Sequence, residues 1–121
     1  MIAALRPALR EFNAGRFFEC HEVLEDLLET TGRDDWDFIL GLIQVAVGYH
    51  KLTHRYAGGE KLLAMGLAKL APYGASHGGL DLEVLRGAVR GDLARAAAAR
   101  ARGTPPGPLA PPRLMPARAK S

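Results

Sequence analysis

The chain has 121 residues, the size of one domain, and its 48% of hydrophobic residues excludes a wholly disordered protein. The formal net charge of +3 is unevenly divided, because residues 1–89 carry nine basic and twelve acidic side chains and residues 90–121 carry seven basic and one acidic. The basic excess that would suit a nucleic-acid-binding protein therefore belongs to the C-terminal segment alone.

Apolar residues recur with the helical period of about 3.6 along most of the chain, and few segments alternate like a strand. The first predicted helix covers residues 2–12. It ends at Asn13-Ala14-Gly15, because Asn and Gly accept the left-handed conformation that closes a helix. A second helix is predicted over residues 16–30.

The third predicted helix begins at Asp34 or Asp35, since either carboxylate can cap the first N–H groups, and it runs to about Tyr56. Its side chains are apolar almost all round, which is typical of a helix in the middle of a bundle. Gly41 and Gly48 lie seven residues apart on one side. We expect them to let a neighbouring helix approach closely.

The last two predicted helices are joined by a glycine-rich loop. The fourth helix covers residues 59–72, and the loop contains residues 76–79. The fifth helix starts near Asp81, another residue suited to cap a helix, and ends in an alanine-rich stretch with high helix propensity.

The composition changes after Gly103, where six of the eight prolines fall between residues 105 and 116. Proline cannot donate a backbone hydrogen bond, so this segment is unsuited to helix or sheet. The sequence therefore predicts an all-α, compact bundle of about five helices over residues 1–102, with the apolar third helix at its centre. Residues 103–121 are predicted to be a disordered, basic, proline-rich tail.

Two neighbouring predicted helices each carry a polar pair, one turn apart, on an apolar face. The pairs are His21 with Glu25 and His50 with His54. A carboxylate on a buried face is costly unless it is paired, hydrogen-bonded or bound to metal. Divalent metal sites in helical bundles are built from inward-facing Glu and His on facing helices. The pattern predicts one divalent metal ion held by His21, Glu25, His50 and His54 in the bundle interior.

The same residues also allow a structural interpretation. His21 and Glu25 can form an ordinary buried polar pair that fixes how two helices meet. His54 lies close to the end of its helix, where solvent can reach it. Under this interpretation the protein is a non-catalytic helical module that binds a small molecule or a peptide.

Residues 12–25, with the sequence FNAGRFFECHEVLE, resemble the signature of the domain of unknown function 309 family. Residues 41–50 are similar to a second block of that family, and the whole resemblance extends over about residues 8–90. Leu28 departs from the pattern, because the family usually has Trp or Tyr there. Members are small all-helical proteins that are commonly labelled predicted metal-dependent hydrolases.

The resemblance implies an all-helical fold and a functional role for His21 and Glu25, with His50 carried over less directly. It leads to the hypothesis of a divalent-metal-dependent hydrolase, and the structural module is kept as the alternative. It supplies neither a substrate nor a catalytic residue. His54 rests on its spacing alone.

Location and partners follow from what the sequence lacks. The single cysteine, Cys20, excludes an internal disulfide and is predicted to be a small core thiol. No apolar run reaches the roughly 20 residues of a membrane span, and no secretory signal is evident, so a cytoplasmic protein is expected. The basic tail has no aromatic residue to stack on bases, and we do not expect nucleic acid as a partner. Homo-oligomer formation stays open.

Overall fold

Helices dominate the computed structural model, which describes residues 1–105, 109, 111 and 113–116. The elements are α1 (Ile2–Asn13), α2 (Phe17–Glu29), α3 (Arg33–Thr53), α4 (Gly59–Leu70), β1 (Ser76–His77), β2 (Leu80–Asp81) and α5 (Leu82–Ala101). The prediction of an all-α bundle of about five helices is confirmed. Within the described part of the chain, no helix is long and apolar enough to cross a membrane.

The centre of the bundle is α3, which packs against α2 on one side and α4 on the other. Its side chains are buried around most of the helix, and Phe38, Ile39 and Tyr49 are fully enclosed. α1 packs on α2, and α5 packs on α4. The predicted central position of the third helix is therefore confirmed.

Glycines on both helices allow α3 and α4 to approach closely. A Cβ atom added at Gly48 would lie 2.8 Å from the Leu63 side chain, closer than real side chains come. A Cβ atom added at Gly66 would lie 2.9 Å from the carbonyl oxygen of Gly41. The expected role of Gly41 and Gly48 is confirmed, and α4 contributes glycines of its own to the same contact.

The start of α3 differs from the prediction. The helix begins at Arg33 with Gly32 as its N-cap, and no side chain caps it. The prediction that Asp34 or Asp35 caps this helix is therefore wrong. Both lie in the first helical turn, where a carboxylate still interacts favourably with the positive end of the helix dipole.

A short hairpin occupies the loop between α4 and α5, where no strand is predicted. β1 and β2 pair antiparallel, and the turn between them is Gly78-Gly79, with φ angles of 58° and 82°. Asp81 then caps α5 as predicted, because its carboxylate accepts the backbone N–H groups of Glu83 and Val84 at 3.1 and 3.2 Å.

Four residues of the predicted tail, 113–116, lie against the helical body. The Asn13 side chain accepts the N–H of Leu114 at 2.7 Å and donates to its carbonyl at 3.0 Å. The N–H of Asp81 donates to the Met115 carbonyl at 3.0 Å, and Leu114 is only 6% exposed. These four residues are thus held in place, and the prediction of disorder is wrong for them. The prediction of disorder for residues 106–108, 110, 112 and 117–121 falls outside the described residues.

Candidate functional site

His21, Glu25, His50 and His54 lie at the surface where α2 meets the C-terminal end of α3. The His21 side chain is 15% exposed and the Glu25 side chain 58%. His50 is half-buried, and His54 is exposed. The prediction that these residues converge in the bundle interior is therefore wrong, although they do gather on one side of the molecule.

The packing of α2 explains the error. Its buried residues are Phe17, Cys20 and Leu24, so the middle of its buried face lies among these three. At about 100° per residue, His21 falls at the edge of that face and Glu25 falls beyond it. The apolar face of α2 therefore reaches His21 at its edge and leaves the His21 side chain partly exposed.

Two of the imidazoles are oriented by backbone carbonyls one turn earlier in their helices. Nδ1 of His21 contacts the Phe18 carbonyl oxygen, and Nδ1 of His54 lies 2.8 Å from that of His50. A carbonyl only accepts, so a neutral ring in this position carries its proton on Nδ1. The Nε2 lone pair of each ring is then free to bind a hydrogen-bond donor or a metal ion.

A carboxylate faces one of these lone pairs. Nε2 of His21 lies 3.7 Å from Oε1 of Glu25, which is too long for a direct hydrogen bond. Because both atoms are acceptors when His21 is neutral, the pair is favourable only if a proton, a donor or a cation comes between them. This pair is the part of the predicted site that the fold brings together.

His50 lies among other rings. Its ring centroid is 5.4 Å from that of Phe18 and 4.3 Å from that of His54. Burial lowers the pKa of His50, and the positive charges that His54 and His21 acquire on protonation lower it further. His50 is therefore neutral at pH 7.

A left-handed residue brings Tyr56 to the same place. Arg55 has a φ of 58°, and the N–H of Tyr56 donates back to the Lys51 carbonyl at 2.7 Å, which closes the C-terminal end of α3. The Tyr56 ring consequently stacks on that of His54, with 5.5 Å between centroids and 27° between planes.

These rings form one continuous surface, which we call the histidine–aromatic face. Phe18 is 47% exposed and Tyr56 is 56% exposed, so large apolar rings are open to solvent on both sides of the imidazoles. The face consists of Phe18, His21, His50, His54 and Tyr56.

The side chains of this face do not form a closed metal site as they stand. Among the residues that the structure describes, no three His, Cys, Asp or Glu side chains are placed to hold one ion together. The four predicted ligands instead form two pairs, His21 with Glu25 and His50 with His54. The arrangement as it stands does not fit a divalent metal coordinated by all four.

The polar group that is buried in the interior is a different one. Asp92 is 0% exposed and accepts a hydrogen bond from the Tyr49 hydroxyl at 2.6 Å, while Arg95 pairs with its other oxygen. Burial, together with the hydrogen bond to Asp92, raises the pKa of Tyr49, which stays protonated. Sequence reasoning missed this cluster. The signal was present, because Asp92 follows Val89 and precedes Ala96 on the buried stripe of α5.

Cys20 has no part in the face. Its thiol is 1% exposed, and burial raises its pKa to about 12, so it is protonated at neutral pH and shielded from reagents. The prediction of a core thiol is confirmed.

Three comparisons relate the chain to known families, proteins and structures. No curated protein and no solved structure was found to match the chain. A family model described as a domain of unknown function, DUF309, matches residues 5–63, which contain the whole histidine–aromatic face. The weaker resemblance beyond Leu63 stays a prediction. Over residues 5–63 the chain belongs to the domain of unknown function 309 family.

Proposed function

We propose that the protein is a non-catalytic helical module whose histidine–aromatic face binds a peptide segment with an apolar anchor. The observation that carries this proposal is the exposure of Phe18 and Tyr56 on either side of the neutral His50 imidazole. Exposed aromatic rings supply large contact areas at a low cost in conformational entropy. The free Nε2 atoms of His21 and His54 can accept N–H groups of an extended backbone.

The charged residues around the histidine–aromatic face favour one kind of peptide over others. Glu19, Glu22 and Glu25 are exposed along α2, whereas Lys51 and Arg55 lie at the end of α3. A peptide whose apolar anchor is flanked by basic residues would place those residues against α2. A cytoplasmic location is part of the proposal and is supported by Cys20, a free thiol kept in the core.

Selection from a random peptide library displayed on phage tests the proposal. Peptides enriched on the wild-type protein should bind a Phe18→Ser/Tyr56→Ser double variant at least about tenfold more weakly. Each substitution removes an aromatic ring that the bound peptide would cover. Trp36→Ser is the matched control, because Trp36 is 44% exposed but lies on another part of α3. Equal binding to the wild type and the double variant, or no enrichment at all, would refute the module.

A second candidate, a metal-dependent hydrolase, is favoured by the unsatisfied pair of His21 and Glu25. We propose that this pair, with His50 or His54 after side-chain rotation, binds one divalent cation. The neutral state of His50 supports the proposal, because a metal ion then has no proton to displace from that ring. A hydrolytic role depends on this binding.

Calorimetric titration with Zn²⁺ separates the two candidates. A metal site should bind one equivalent, and His21→Gln should weaken that binding by about ten- to a hundredfold. His77→Gln is the control, since His77 is held by Asp35 at 2.7 Å in the hairpin region and should leave the titration unchanged. Weak binding of several ions, or equal loss in both variants, would exclude the metal site and leave the peptide-binding proposal untouched.

A further inference from the structure

A second surface feature shares no residue with the histidine–aromatic face. It is an open groove of about 650 Å³ between α1 and residues 113–116. Three arginines line it, Arg6 and Arg10 from α1 and Arg113 from the docked tail segment, and all three are exposed. Arg6 and Arg10 are one turn apart, so they project from the same side of the helix.

Three arginine side chains give this groove a positive charge. Within the described part of the chain, Arg6, Arg10 and Arg113 form no hydrogen bond or ion pair. Arg10 interacts electrostatically with Glu11, but the Glu11 carboxylate is already held by Arg16 at 2.7 and 2.9 Å. Three like charges around one groove repel one another, and a bound anion relieves that repulsion.

The floor of the groove is apolar. Leu9, which is 7% exposed, Leu114, which is 6% exposed, and Met115, which is 45% exposed, supply its apolar lining. A ligand made only of charged groups would leave these apolar side chains in contact with water. An apolar substituent on the anion would be removed from water here and would add to its affinity.

The groove exists because residues 113–116 are docked. Asn13 lies two turns after Arg6 on the same helix side and bonds both backbone groups of Leu114. That pair of hydrogen bonds fixes the residue next to Arg113, which lines the same groove as Arg6 and Arg10. The tail segment therefore supplies one cation and part of the floor.

We propose that this groove binds a phosphate monoester with an apolar substituent. A phosphate monoester presents three terminal oxygens and carries up to two negative charges at pH 7, whereas a carboxylate presents two oxygens and one charge. Guanidinium groups bind phosphate oxygens through paired, charge-assisted hydrogen bonds, so three arginines suit the larger charge. The substituent lies on Leu9, Leu114 and Met115.

The helix dipole opposes the anion but is the smaller effect. Arg10 lies in the last turn of α1, whose C-terminal end carries roughly half a negative charge. Three guanidiniums outweigh this partial charge.

Calorimetry with two probes at constant ionic strength tests the groove. Hexyl phosphate should bind with one site, and inorganic phosphate should bind about tenfold or more weakly because it lacks the apolar part. Arg113→Gln should lower the affinity for hexyl phosphate by about tenfold. Arg6→Gln provides an independent variant that leaves the tail segment unaltered.

Arg90→Gln is the matched control, because Arg90 is an exposed arginine on α5 outside the groove. It should keep the wild-type affinity for hexyl phosphate. Circular dichroism of each variant shows whether the helices are retained. Equal losses in Arg90→Gln and Arg113→Gln would mean general attraction to a basic surface and overturn the site. Equal affinity for the two probes would overturn it as well.

Discussion

A buried hydrogen bond joins the Tyr49 hydroxyl to the Asp92 carboxylate. Both side chains are fully buried, and the other carboxylate oxygen pairs with Arg95. Tyr49→Phe should lower the free energy of unfolding by roughly 1.5–3 kcal/mol, the usual range for a hydrogen bond to a charged group. The ring contacts with Phe12 and Phe17 remain in the variant. Urea denaturation at pH 7 measures the change.

Tyr73→Phe is the control for that substitution. The Tyr73 hydroxyl donates to the neutral carbonyl of Asp34 at 3.2 Å in a solvent-exposed position, so its loss should cost less than about 1 kcal/mol. An equal loss in the free energy of unfolding for the two variants would contradict the prediction that the hydrogen bond to buried Asp92 is the stronger one.

The half-buried position of His50 makes its titration informative. Its pKa lies below the usual value of about 6.5, mainly because of burial and then because of His54 and His21. The folded state thus binds this proton less tightly than the unfolded state. Its contribution to stability is complete above pH 6.5 and is lost as the pH falls through the folded pKa.

An NMR titration of the imidazole C–H signals checks this expectation. The midpoint of His50 should lie below that of an unfolded peptide, and His54→Gln should raise it only part of the way, since burial is the larger cause. A midpoint at or above 6.5 in the wild-type protein would contradict the packing described for His50.

At this scale the sequence predicts which side chains meet, but it does not predict how much water reaches them. Helical periodicity places His21 and Glu25 on one side of α2, and they are neighbours in the structure. Their exposure depends on how far the adjoining helix extends over the edge of the apolar face, which one helix cannot reveal. Asp92 could have been found by the same periodicity, because it interrupts the apolar stripe of α5.

Among the elements, the contact between α3 and α4 depends on glycines that face each other. A Cβ atom at Gly66 would lie 2.7 Å from a Val45 methyl group and 2.9 Å from the Gly41 carbonyl oxygen, so the helices would have to separate. Gly66→Ala should therefore destabilise the protein by about 1–3 kcal/mol in spite of the better helix propensity of alanine.

Gly87→Ala should have the opposite sign. Gly87 lies inside α5 with no atom within 4 Å of an added Cβ, so only the gain in helix propensity acts there, about 0.5–1 kcal/mol. Thermal unfolding of both variants is the measurement. A Gly66→Ala protein as stable as Gly87→Ala would show that α3 and α4 can separate without loss.

Helices of twelve residues or more could be predicted because each repeats its apolar period several times. The hairpin could not, since β1 and β2 contain two residues each and cannot show an alternation. The N-cap of α3 was misplaced for a related reason. Arg33 has no special preference for the start of a helix. The two aspartates after it are favoured N-cap residues, so the predicted start of α3 lies too late in the sequence.

For the whole molecule, the composition of residues 103–121 predicts disorder, but residues 113–116 of this tail are docked on the helical body. Proline and arginine predict a chain without fixed structure, yet Leu114 is an apolar anchor that reaches the core. Docking also needs Asn13, whose amide bonds both backbone groups of Leu114. The sequence does not reveal this pairing, because the two residues are 101 positions apart.

Asn13→Ala should release the segment without disturbing the helices. Among the described residues, the burial of Leu114, the hydrogen bond from Asp81 to Met115 and the bridge between Leu80 and Pro116 then remain to hold it. At about 1 kcal/mol for each bond, the released state should become roughly ten to thirty times more populated.

Trypsin cuts after Arg113 only in that state, so cleavage there should accelerate by the same factor. Cleavage after Arg33 is the internal reference and should keep its rate, whereas acceleration at both sites would mean general unfolding rather than release of the tail.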